Sequence, residues 1–554
     1  MKTNKIIDTT LNSFNDSEFL RIFHEIFEES YKEFSKNLDN ISAIYSNNLH
    51  WWISLTASRN AIKNNIYREF CIIKTMQKID QIDDVSNSYI ISSDSTRIAI
   101  ENCFGKNCPV LIVKKSSAFS TKKFRDFLRP KYYFFKKLTH MVLIRILFSK
   151  PALSESSTLV ETFLSPSENE NRYYPNYDQF LDKDLKMKIL FVPTIINTNF
   201  FSTLSIFYKT LKGKNKYLFR ESFLNIFDLI ASVRYRKEYK KIVINSQLKK
   251  LDRDVIDLEI LVEGSLKDEA FNSLSAEGLL NFRFIKNLKT SNCIDTFHYV
   301  DWWENTPMDK GLNLALNRFY PEAKSTGYMG FVPNQLSFEL SPTQQELIAN
   351  VLPNTIGVIG EAFLPILTRC NSDIEGTIAP AFRFAYLNDM RISGKKYFLV
   401  LPSIDKEEWN ELLQIIIFVA TAFPEMQFII KPHPGMGSFK KNFNLPNIEI
   451  DHNSEVKKLI QHSEILITST SSAAIEAIVK SVPTLIFQSS NSIPKNIIPS
   501  TLDKAFWRNF SNQNNLLTTI KELLEGMDND KNVIKLSRYF NLPNKQNVYS
   551  FFKK

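Results

Sequence analysis

Two short stretches carry residue types suited to holding a phosphate. In "FIIKPHPG" (residues 428–435) the imidazole of His433 is set between Pro432 and Pro434, which fix the backbone φ on either side and remove two amide donors. In "TSTSSAAIEA" (468–477) four consecutive hydroxyls, Ser469, Thr470, Ser471 and Ser472, stand between an apolar run and a helix-forming run. A histidine held this way can give a hydrogen bond, or a full positive charge, to a phosphate oxygen, and Lys431 adds a neighbouring cation. Hydroxyls and free N–H groups at a helix start suit an anion as well, with Ser471 and Ser472 best placed to touch it. Glu476, one helical turn past Ser472, could accept hydrogen bonds from ribose hydroxyls. Simpler readings stand beside these: Ser472 as a plain helix cap, Glu476 as a charge complementing the helix dipole, and His433 as a loop residue.

A second group lies in "TFHYVDWWENTP" (296–307). The run to Trp302 reads as a strand and Pro307 as a first helical position. Asp301 and Glu304 would then sit at a sheet edge, where a carboxylate can take a proton from a hydroxyl. Glu304 is the first choice for that base and Asp301 the second; capping of the helix start is the plainer role for the pair.

The elements that must position these residues alternate. Residues 1–80 read as helical, with apolar three- and four-residue spacing in "DSEFLRIFHEIFEESYKEF". Strands are expected at 88–92, 109–113, 188–193, 241–245 and 296–302, and the acidic, serine-rich run 153–180 as a long exposed loop. A cleaner strand–helix series is read from about residue 355, with strands at 396–402, 426–431, 447–451, 464–468 and 483–487, and a link between the halves at 341–357. Such alternation implies parallel sheets covered by helices, and the second series reads as doubly wound. Ligands of such sheets bind beyond the carboxyl ends of the strands, so His433 and Ser469–Ser472 can face one crevice although they lie far apart in sequence.

At 554 residues the chain is too long for one core. With 44% hydrophobic and 23% charged residues it is a globular composition, with no run of about 18 apolar residues and no signal-peptide pattern at the N-terminus, so a cytoplasmic protein is expected. Five cysteines without metal-type spacing read as reduced core residues. The formal charge of +10 favours an anionic partner. Residues 122–150 hold nine Lys or Arg against one Asp among aromatic side chains, which reads either as a solvated helical face or as a helix pair making peripheral contact with an anionic membrane. No nucleic-acid-binding motif is present in the sequence, so no nucleic-acid partner is expected.

"KPHP" followed by "ITSTSSAAIEAIVKSVPTLIF" resembles the HP and SS motifs of GT-B-type bacterial glycosyltransferases that use CMP-activated acidic sugars, among them sialyltransferases and capsule Kdo transferases. CDP-glycerol transferases carry related motifs. The resemblance implies an α/β protein of two Rossmann-like doubly wound domains facing a central cleft, residues 1–345 on the acceptor side and 346–554 binding the donor. It implies that His433 contacts the donor phosphate, that Ser471 and Ser472 bind it, and that Glu476 matches the following helix glutamate; Lys431, Ser469 and Thr470 complete the donor-binding set. His433, Glu304 and Asp301 would form the catalytic group. No metal or cofactor is implied beyond a CMP-linked sugar as substrate, and the acceptor would be a glycan or lipid-linked glycan of a surface polysaccharide or lipopolysaccharide. In the amino half, residues 49–60 and 299–331 resemble segments of surface-carbohydrate biosynthesis proteins, although Met329 and Gly330 stand where several of those have Gln-His. The acidic-acidic-Gly motif that supplies the base in some sialyltransferases is absent, only Glu263-Gly264 coming near it. Alternatives are a CDP-glycerol or CDP-ribitol phosphotransferase, a nucleotide-sugar epimerase of the same fold, and a non-catalytic GT-B subunit of a polysaccharide assembly complex.

Overall fold

The computed structural model describes residues 5–553 except 11–13, 83–86, 115–118, 152, 154–156, 167–171, 197, 243–254, 292–293, 295, 395, 437–442, 444, 491–492 and 527–533. Most of the strand expected at 241–245, and Cys293, lie outside the described residues. The other four cysteines are free thiols.

Three sheets are present among the described residues, all of their strand pairs parallel. β1 (Ile6–Asp8), β2 (Ser88–Ile91) and β3 (Val110–Val113) form a small one beside the amino-terminal helices. β4 (Thr158–Leu164), β5 (Ile189–Ile195), β6 (His298–Trp302), β7 (Lys324–Met329), β8 (Thr355–Val358) and β9 (Gly376–Ile378) pair in the order β5-β4-β6-β7-β8-β9. β10 (Tyr397–Leu401), β11 (Gln427–Ile430), β12 (Ile448–Ile450), β13 (Ser463–Thr468), β14 (Thr484–Phe487) and β15 (Trp507–Phe510) pair in the order β12-β11-β10-β13-β14-β15. The chain thus reverses direction across the sheet twice, between β4 and β6 in the first domain and between β10 and β13 in the second. Crevices for ligands open at such points. These are the two doubly wound α/β domains that the GT-B expectation requires.

Three parts of the sequence reading are corrected. The series read as starting near residue 355 starts at β10, because β8 and β9 extend the amino-terminal sheet through Thr326↔Thr355 and Ile356↔Gly376. Apolar periodicity marks a strand but does not say which sheet it joins. The tail also leaves the carboxyl domain: Asn541 N donates to the Ile359 carbonyl (2.7 Å), Thr158 Oγ1 donates to the Phe552 carbonyl (2.9 Å), and the Phe551 ring lies 5.1 Å from Tyr328. Second, the run 153–180 is not one exposed loop, since β4 within it is a central strand whose seven residues, "TLVETFL", are buried apart from the half-buried Phe163. Serine and acid on either flank hid it. Third, the basic aromatic segment is one helix, Phe119–Leu147, with Pro130 inside it, rather than a helix pair.

The amino-terminal helices form as their spacing predicts. Ser17–Glu29 is capped by Asp16, whose side chain accepts from Phe19 N, and buries Phe19, Ile22, Phe23, Ile26 and Phe27 on one stripe. The helices Ser273–Thr290 and Pro307–Phe319 pack at glycine: a Cβ on Gly311 would fall 2.1 Å from the Gly278 carbonyl oxygen. That close approach sets the height of the turn joining β6 to the second helix, which carries Glu304.

Candidate functional site

The turn after β6 is built by Asn305, which takes a left-handed conformation (φ 52°) that few non-glycine residues adopt. Its side-chain amide donates to the Glu339 carbonyl (2.7 Å) and to Glu346 Oε1 (3.1 Å). Glu346 is also held by Arg59 Nη2 (2.7 Å) and Lys310 Nζ (2.6 Å), and Lys310 donates to the Ala57 carbonyl (2.7 Å). The two amino-half segments singled out by resemblance, 49–60 and 299–331, therefore meet in one buried network. Trp51 and Trp52 of the first are core residues.

Glu304 leaves this turn exposed, as the sequence reading requires of a base. The indole Nε1 of Trp302 donates to its Oε1 (3.2 Å), and its own amide donates to Asp309 Oδ2 (3.1 Å). Asp309, not Asp301 or Glu304, caps the following helix, also accepting from the Thr306 amide (2.6 Å) and hydroxyl (3.1 Å). Glu304 lines a cavity of about 800 Å³ together with Lys136, Arg172, Tyr173, Trp302 and Arg383.

Asp301 does not face this cavity. It is fully buried, its Oδ2 accepting from Asn313 Nδ2 (2.9 Å), and its carboxyl lies against that of Glu161 on β4. Burial, then the Glu161 charge, pushes the Asp301 carboxyl well above the usual range, and its burial away from the cavity keeps it from an acceptor hydroxyl; burial likewise pushes Glu161 up to about 7. Among the described residues, Glu161, Asp301 and Asp309 bring carboxylate oxygens within 4.8 Å of one another. Burial raises the Asp309 carboxyl as well, so all three hold a proton more tightly than a solvated carboxylate does.

Across the cleft, the carboxyl edges of β11 and β13 flank that of β10, so His433 and the serine turn are two strand spacings apart, roughly 10 Å. The central strand ties to one of them through Thr468 Oγ1, which donates to the Leu401 carbonyl (2.7 Å). His433 is exposed on one side, and its Nδ1 accepts from Gly435 N (3.1 Å), which leaves the proton on Nε2. Burial of the rest of the ring, and secondly Arg172, holds its pKa below the ordinary value. The shift favours the neutral ring, an N–H donor, over the full positive charge.

The hydroxyl run is less uniform than its sequence. Ser471 Oγ accepts from Ala473 N (3.3 Å), so it rather than Ser472 caps the turn, while Ser472 Oγ donates to Glu476 Oε1 (3.1 Å). Ser469 Oγ is buried and without a hydrogen-bond partner. Thr470 lines a separate cavity of about 210 Å³ bounded by Arg21, Glu408 and Lys495. The helix that follows, Ala473–Ile478, has six residues. Glu476 is buried, and its other oxygen accepts from Tyr386 Oη, so both oxygens are already engaged and the ribose contact would require Tyr386 or Ser472 to yield. Lys431 Nζ is drawn to the Asp451 carbonyl (3.4 Å), on the β12 side and away from the serine turn.

Two cations that sequence reasoning missed line the cavity of Glu304. Arg172 follows β4 and its charge is felt by His433; Arg383, from the segment after β9, acts on Glu476 and Tyr386. Burial and the charge of Arg383 together hold the Arg172 guanidinium below its ordinary value. Arg172 stood in the run read as an exposed loop, and nothing around Arg383 in the sequence marks it.

No family model and no curated protein matches the chain. Solved structures do match. UDP-GlcNAc 2-epimerase from Neisseria meningitidis bound to UDP-GlcNAc is 11% identical, covering 71% of this chain and 98% of its own, with a TM-score of 0.40. The glycosyltransferase SnogD from Streptomyces nogalater is 11% identical over 68% and 96%, with a TM-score of 0.34. The wall teichoic acid polymerase TagF with CDPG is 12% identical over 78% and 96%, with a TM-score of 0.38.

Proposed function

We propose that the protein is a GT-B glycosyltransferase that moves a sugar, an acidic one such as Kdo or a sialic-acid-like sugar, from a CMP-activated donor to a glycan or lipid-linked glycan of the cell surface, without a metal, on the cytoplasmic side of the membrane. One observation carries the reading: Glu304, at the switch point of one sheet, lines a cavity with Arg172 and Arg383, and the charge of Arg172 acts on His433 at the carboxyl edge of the other sheet. Glu304 takes the proton of the acceptor hydroxyl, whose oxygen bonds to the anomeric carbon from the face opposite the donor phosphate. The anomeric carbon–oxygen bond breaks with its electron pair passing to the phosphate. His433 Nε2–H and the two guanidinium groups stabilise the charge that develops on the leaving CMP, which lowers the barrier. Ser471 holds the phosphate before the bond breaks, and Ser472 joins it when its hydroxyl proton turns from Glu476.

The test is transfer from CMP-linked donors by the purified chain, with the products identified. Glu304→Gln is expected to lower kcat by about 10²–10⁴ while leaving CMP affinity unchanged. Glu304→Gln at wild-type kcat removes the assigned base. Phosphorus retained in the product replaces glycosyl transfer with CDP-alditol phosphotransfer, and conversion of a nucleotide sugar without an acceptor replaces it with epimerisation.

A further inference from the structure

The helix Phe119–Leu147 is polar on its inner face and apolar on its outer one. At about 100° per residue, Phe124, Leu128, Phe135, Val142 and Ile146 fall within an arc of about 40°, and Tyr133, Lys137, His140 and Ile144 fall opposite. The second group is buried, with Lys137 Nζ on Glu277 (2.7 Å), whereas Phe124 and Phe135 are each 64% exposed and Ile146 73%. The helix Phe200–Lys212 packs beside it through Phe207, whose ring is 6.4 Å from His140, and also turns an apolar stripe outward. Phe200, Phe201, Leu204, Tyr208 and Leu211 share an arc of about 100° facing outward, with Phe201 80% exposed. Aromatic side chains directed at solvent along two adjacent helices have no use in a core.

Cations rim both stripes. Arg125, Arg129, Lys131 and Arg145 on the first helix and Lys209 and Lys212 on the second are exposed; the acid among them is Asp126, which pairs with Arg129 (3.5 Å). Lys131 Nζ stands 3.7 Å from the centre of the Phe127 ring and Lys212 Nζ 4.2 Å from that of Tyr208. No helix among the described residues is long and apolar enough to cross a membrane.

We infer that these two helices together form a ridge that docks on an anionic lipid surface, with the aromatic side chains entering the headgroup layer and the lysines and arginines meeting lipid phosphates. A second copy of the chain on the same face would set cation against cation, while a lipid phosphate layer complements the rim. The inference stands on the two helices and does not depend on the donor chemistry. It adds a consequence for the proposed function: Tyr132, Lys136, Thr198 and Asn199 line both the cavity of Glu304 and the groove between the two helices, so the cleft opens at the ridge and an acceptor carried in the bilayer reaches Glu304 from that side.

Sedimentation of the full chain with vesicles tests this. Binding is expected to vesicles of phosphatidylcholine with phosphatidylglycerol, to weaken with salt, and to be at least about tenfold poorer on phosphatidylcholine alone. Phe135→Ser combined with Phe201→Ser should lower the partition coefficient roughly a hundredfold, and Lys209→Gln with Lys212→Gln roughly tenfold or more. All four side chains point outward, so melting temperature and CMP binding should stay at the wild-type value in these variants. No partition into either vesicle, or equal partition of the Phe135→Ser/Phe201→Ser variant, overturns the inference. So does concentration-dependent self-association that the same variant abolishes in the absence of vesicle binding, which would assign the ridge to a second copy.

Discussion

Glu346 lies outside the cleft, yet the positioning of Glu304 rests on it. Its side chain is 1% exposed and is shared by Arg59 Nη2 at 2.7 Å and Lys310 Nζ at 2.6 Å; it also accepts from the Thr343 amide (2.7 Å) and from Asn305 Nδ2 (3.1 Å). Glu346→Gln keeps the shape and deletes the charge, which takes from two buried cations the carboxylate that both contact. Lys310, whose pKa burial already lowers, can release its proton. Arg59 cannot, and would keep the Phe338 and Ser341 carbonyls at 3.2 and 3.0 Å as its partners. Removing one member of a buried pair costs about 3–5 kcal/mol, and proton release by Lys310 brings the expected loss toward about 3 kcal/mol. Urea denaturation measures it, with Lys310→Met in the same chain expected to restore part of the loss through a coupling of about 1 kcal/mol or more. Turnover should fall as well, because the Asn305 turn loses a partner, while CMP affinity should hold. A loss under about 1 kcal/mol with unchanged turnover would refute the argument that this network holds the turn bearing Glu304.

Asn305→Ala should be less stable than Asn305→Gly by about 1 kcal/mol in thermal or denaturant melts, since both lose the bonds to Glu339 and Glu346 but only alanine pays for the positive φ. Equal stabilities would mean that the turn relaxes. Glu161 gives a pH signature: its folded pKa of about 7 lies above the unfolded value of about 4.3, so the folded state binds the extra proton. Its contribution is complete below about pH 4 and is lost as pH rises through about 7. Glu161→Gln should therefore flatten the decline in stability between about pH 5 and about pH 7 by roughly 1 kcal/mol per pH unit, measured by denaturant melts across that range. An unchanged slope would show that the Glu161–Asp301 pair ionises freely.

The parts of the site that were legible in the sequence are those in which one short segment carries both the chemistry and the element that aims it. "IIKPHP" and "ITSTSS" each end a strand and turn at once, so His433 and the hydroxyls had to reach a sheet edge, and the strand order places both edges beside β10. Pro307 likewise announced a helix start and with it the turn that bears Glu304. What stayed hidden depends on which distant segments pack together. Asp301 and Glu304 are three residues apart and both acidic, yet the strand pleat turns Asp301 inward against Glu161 while the Asn305 turn carries Glu304 out. Arg172 and Arg383 reach one cleft from segments more than two hundred residues apart, and no local spacing encodes that meeting. The same holds for β8 and β9, short runs that no strand expectation covered and that join the amino-terminal sheet.

The central claim is that His433, the serine turn and the paired arginines grip a nucleotide phosphate between the domains. Calorimetric titration of CMP into the purified chain, with AMP as competitor, tests it most directly. CMP is expected to bind and to resist displacement by AMP, with His433→Ala and Arg172→Ala each weakening it about tenfold to a hundredfold, the range of a hydrogen bond to a charged group. CMP affinity that is absent, or that is the same in wild type and in both variants, would contradict the account.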